Sequence, residues 1–81
     1  MRIIGSIPHP KITITVFSLN DKYQLKFEAG PMEQTFKIPQ NEISGMDGIK
    51  KLLDDEFMRK IMERFNEMYL SFKAAKEKNT L

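Results

Sequence analysis

FMRKIMERFNEMYLSFKAAK, residues 57–76, is the stretch whose reading decides the fold. Phe57, Ile61, Phe65, Met68, Phe72 and Ala75 recur every three or four positions, which is the period of a helix. At about 100° per residue, Phe57, Met68, Ile61, Phe72, Phe65, Met58, Tyr69 and Met62 fall on one arc of roughly 140°. Lys60, Glu63 and Glu67 take the opposite side, where Leu70 is the one apolar residue. A helix with so broad an apolar stripe must bury it against another surface.

The same phase does not extend upstream. Asp54 and Lys50 would enter the apolar arc, and Leu52 and Leu53 would leave it, so the helix breaks or kinks near Asp54. Asp54 or Asp55 is expected to cap the new helix by accepting a hydrogen bond from a free first-turn amide. Asp55 and Glu56 suit the positive end of the helix dipole, and Lys73, Lys76 and Lys78 its negative end. Before the break, a short helix over residues 45–53 would present Met46, Ile49, Leu52 and Leu53. Ser44 and Asp47 stand in the spacing of a capping box, with the shorter carboxylate in place of glutamate.

The partner surface comes from the first half of the chain. In residues 11–18 Ile12, Ile14 and Val16 alternate with Thr13, Thr15 and Phe17, and the β-branched residues suit a pleated, half-buried strand. Asn20 and Asp21 sit where a two-residue hairpin turn falls. Folding there sets Val16 opposite Leu25, Ile14 opposite Phe27 and Ile12 opposite Ala29, all on one face. Thr15–Lys26 and Thr13–Glu28 occupy the other. Gly30 and Pro31 make the next turn, and residues 32–38 alternate again with Gln34, Phe36 and Ile38 on the apolar parity. The expected fold is α+β, one domain over residues 1–81. An antiparallel meander over residues 11–38 precedes a helical segment over residues 45–78, with the long helix packed on one sheet face. The meander has three strands, or four if Arg2–Ile7 joins its edge rather than forming an arm.

Sizes then carry the functional expectation. A helix of about 22 residues runs about 33 Å, whereas strands of about seven residues span roughly 23 Å and three of them cover roughly 14 Å in width. The helix overhangs the sheet. The expectation is a homodimer, through the long helices or by continuing the sheet across an exposed edge, with Met58, Met62, Phe65, Met68, Tyr69 and Phe72 as the surface that meets a second copy of the chain or another protein.

Composition bounds the rest. The chain is 41% apolar and 30% charged, ordinary for a soluble globule and too apolar for a disordered one. Thirteen Lys and Arg against eleven Asp and Glu leave +2, too little to steer toward nucleic acid or anionic lipid. With no cysteine there is neither a disulfide framework nor a thiolate nucleophile, which points to the cytoplasm. Pro8, His9 and Pro10 interrupt the apolar start before a signal-peptide core can form, and no run is long enough to span a bilayer.

Chemistry finds little purchase. The single histidine, His9, lies in a stiff Pro-His-Pro segment without acidic neighbours, and no serine or aspartate is placed to make a triad with it. Asp54, Asp55 and Glu56 lack the alternating spacing of a calcium loop and read as helix capping. The glycines match neither phosphate-binding pattern. The expectation is a non-enzymatic protein with no catalytic residue, metal or cofactor. The rival reading uses Lys11, Lys26 and Lys37 on the outer sheet face as a weak nucleic-acid surface. In element order alone this resembles the three-stranded-sheet-plus-helix modules that insert a sheet into a DNA groove, such as plant AP2-type and integrase arm-binding domains. Those readers favour arginine, and this face has none.

Overall fold

A computed structural model of the chain describes residues 1–79. Four strands, β1 (Arg2–Ile7), β2 (Thr13–Leu19), β3 (Lys22–Ala29) and β4 (Met32–Pro39), form one antiparallel sheet in sequence order. A single 3-10 turn (Gln40–Glu42) leads to α1 (Gly45–Leu52) and α2 (Asp55–Lys78). The first segment is an edge strand of the sheet, which settles the choice between strand and arm. The meander thus has four strands rather than the three of the DNA-binding modules.

The hairpins form in the expected register. Thr13 pairs with Glu28, Ile14 with Phe27, Thr15 with Lys26 and Val16 with Leu25. In the next hairpin Leu25 pairs with Phe36 and Phe27 with Gln34. Each turn has positive φ at its first central residue, 56° at Asn20 and 59° at Gly30, as in the type II′ turn that matches strand twist. Gln40 locks the far end: its amide N–H donates to the Asp21 carbonyl at 2.8 Å, and its side chain donates to Ser18 Oγ at 3.1 Å. β2 begins two residues later than its alternation suggests, because Lys11 still belongs to the connection, where its N–H donates to His9 Nδ1 at 3.1 Å.

β1 is joined less regularly. Ile3 faces Phe17 but Gly5 faces Val16, so Ile4 bulges from the ladder. The bulge puts Gly5 and Ile7 on the covered side of the sheet. A Cβ at Gly5 would lie 3.0 Å from the Met46 terminal methyl, which shows how closely α1 approaches this strand.

The core lies between the sheet and the helices: Ile12, Ile14, Val16, Leu25 and Phe27 below, Ile49, Ile61 and Phe65 above. Phe27, Phe36 and Phe57 meet edge to face, with ring centroids 5.6 to 6.1 Å apart, an arrangement aromatic quadrupoles prefer. The break between helices falls at Leu53 and Asp54. Asp54 caps α2, its Oδ1 accepting from the Phe57 amide at 2.8 Å. The capping box before α1 does not form: Ser44 makes no side-chain cap bond. Its hydroxyl oxygen instead lies against Gly48, 3.0 Å from where a Cβ would stand.

Candidate protein-interaction surface

α2 has 24 residues and so runs about 36 Å, against roughly 27 Å for the eight-residue β4 beneath it. The two run in opposite directions: Phe57 meets Phe36, and farther along α2 the Ile61 carbonyl accepts from the Gln34 side chain at 3.1 Å. The helix therefore leaves the sheet at the Gly30–Pro31 end. Ile61 and Phe65 are its buried residues, and beyond Met68 every described residue is exposed.

The six residues expected to form the association surface do not behave as one patch. Phe65 belongs to the core of its own chain, only 4% exposed, because α2 runs along the strands and still lies over the sheet one turn beyond Ile61. Met58, Met62 and Met68 are half-buried against that core. Tyr69 and Phe72 remain open, 47% and 44% exposed, and Leu70, on the other side of the helix, is 55% exposed. The Lys76 ammonium sits 4.8 Å from the Phe72 ring centroid.

Phe72 also closes one end of a broad groove of about 660 Å³ whose other walls are Gln34, Arg64, Glu67, Met68 and Ser71. Sequence reasoning passed over the polar members of this groove. The available signals were Gln34, a polar residue on the apolar parity of its strand, and the spacing of Arg64, Glu67 and Ser71 along one flank of α2. A second, apolar hollow of about 310 Å³ lies farther along β4, lined by Leu25, Phe36, Lys37, Ile38, Leu52 and Phe57.

The three lysines of the rival reading are dispersed. Lys26 and Lys37 share the outer sheet face, but Lys26 is held 3.4 Å from the Glu33 carboxylate, with its ammonium 6.0 Å from the Phe17 ring centroid. Lys11 stands in the β1–β2 connection rather than on a strand. Among the described residues no three His, Cys, Asp or Glu side chains gather closely enough to hold a metal ion, and no helix is long and apolar enough to cross a membrane.

The molecule belongs structurally to the α+β class, a four-stranded antiparallel meander covered on one face by two helices. A scan against protein-family models and searches of curated proteins and of solved structures return no match.

Proposed function

We propose that the chain is a non-enzymatic interaction module of the cytoplasm that pairs with a second copy of itself through the projecting end of α2. The observation that carries this reading is the pair of exposed aromatic side chains, Tyr69 and Phe72, three residues apart on one face of a helix that has already left its own sheet. Every described residue beyond Met68 is exposed, and contiguous apolar surface of this kind favours association. Two such helix ends, packed antiparallel about a two-fold axis, would set the Phe72 ring of each against the Met68 and Tyr69 side chains of the other. The lack of cysteine suits a reducing compartment.

Light scattering on the wild type and Phe72→Lys tests it. The wild type should self-associate through this contact irrespective of salt, and the variant should associate less, with an unchanged circular dichroism spectrum. Association unchanged by the substitution removes the helix end from the interface. Nucleic-acid binding through the outer face would instead appear as complex formation that falls steeply with salt. The pairing of Lys26 with Glu33 and the displacement of Lys11 both argue against that outcome.

A further inference from the structure

We infer that β4 is a self-complementary edge through which two copies of the chain join their sheets, antiparallel and centred on Thr35. The inference goes beyond the helix-end reading and uses different residues.

The backbone sets the geometry. The two-residue turn at Gly30–Pro31 makes Ala29 and Met32 a hydrogen-bonded pair, and bonded and non-bonded pairs alternate from there along an antiparallel ladder. The Gln40 amide donating to the Asp21 carbonyl at 2.8 Å confirms the phase at the opposite end. Gln34, Phe36 and Ile38 thus bond inward to β3. The N–H and C=O groups of Glu33, Thr35 and Lys37 point outward from the last strand of the sheet. All three residues are exposed, and among the described residues no hydrogen bond from another element reaches these backbone groups.

Native edges are usually blunted by bulges, proline or charge. β1 follows that rule with its bulge at Ile4. β4 does so only at its ends: its eight residues are in unbroken register with β3, and although Pro31 and Pro39 share the outward parity, one lies in the turn and the other at the strand's last position, which leaves the outward N–H groups of Glu33, Thr35 and Lys37 between them. Its outer-face charges could still act as a guard, but their order makes them a key. Registers that use the outward groups symmetrically centre on Glu33, Thr35 or Lys37 through a bonded pair, or on Gln34 or Phe36 through a non-bonded pair, and the last two set no opposite charges against each other. Centring on Glu33 sets two carboxylates opposite each other, and centring on Lys37 sets two ammonium groups opposite. Centring on Thr35 alone sets Glu33 of each copy, whose carboxylate also meets Lys26 of its own chain at 3.4 Å, opposite Lys37 of the other, a favourable cross-strand arrangement. On the inner face it sets the partner's Gln34 opposite Phe36, beside the apolar hollow walled by Phe36, Leu52 and Phe57.

Charge exchange provides the test. Lys37→Glu gives four carboxylates at the seam and Glu33→Lys four ammonium groups, so each variant alone should self-associate roughly tenfold or more weakly than wild type, two pairs being reversed per dimer. An equimolar mixture of the two single variants should associate, as should the Glu33→Lys/Lys37→Glu double variant, which restores both pairs. Thr35→Pro should also weaken association, because it removes the central outward N–H while leaving the β3 ladder its donors. Sedimentation equilibrium reads the association, and circular dichroism verifies the fold in each case. Single variants that associate as tightly as wild type, a mixture that stays monomeric, or a wild type that is itself monomeric overturns the edge pairing. Phe72→Lys separates the two contacts: if it abolishes association while the charge variants do not, the helix end stands and the edge falls.

Discussion

The Gln34 side-chain amide donates to the Ile61 main-chain carbonyl at 3.1 Å, so a strand at the sheet's edge grips the second turn of the helix above it. The Ile61 carbonyl is also placed to take the ordinary helical bond from the Phe65 amide, four residues on. Losing the Gln34 donor therefore orphans no buried group, and its contribution sits toward the low end of the range for a net hydrogen bond. Gln34→Ala should lower stability by about 0.5–1 kcal/mol, read from the urea midpoint at unchanged slope. A loss several times larger would mean that Gln34 does more than tie α2 down.

The two helix starts should respond differently to the loss of their cap residues. Asp54 accepts from the Phe57 amide at 2.8 Å, whereas Ser44 makes no side-chain cap bond. Asp54→Ala should cost about 1 kcal/mol, with Ser44→Ala within about 0.5 kcal/mol of wild type. Thermal unfolding of both variants side by side checks the contrast. Equal losses would show that the Ser44 hydroxyl contributes by some route other than capping.

Phe27 is fully buried and meets both Phe36 and Phe57 edge to face. Phe27→Ala removes the centre of that cluster at a cost of about 3–5 kcal/mol, a large share of what so small a domain possesses. The variant should be largely unfolded or melt far below wild type by circular dichroism. Tyr69→Ala, at an exposed position, should leave the monomer's stability within about 0.5 kcal/mol.

Most of the fold was legible because period-two and period-3.6 patterns leave little choice of face. Ile14, Val16, Leu25 and Phe27 could share a side only in the register the strands adopt, and Lys50 and Asp54 could be kept from the apolar arc only by the break that occurs at Leu53 and Asp54. What escaped depends on three-dimensional reach. Ser44 has the residue type of a cap, but its hydroxyl turns toward Gly48. Phe65 carries the same apolar signal as Phe72, and only the distance each lies from the sheet decides that one is core and the other surface. Gln34 looked like an interruption of an apolar row until the helix backbone above it supplied an acceptor.

Past Met68 every described residue of α2 is exposed, so its last turns lack the packing that holds the turns before them. Short isolated helices of this kind are marginal in water, so amide protons there should exchange with deuterium through local fraying, many times faster than those around Ile61, whose opening requires the whole domain to unfold. Exchange rates along this one rod should therefore rise in a gradient that steepens where the sheet ends. A molecule that settles on Tyr69 and Phe72 would flatten that gradient, and so reveal its presence without being seen itself.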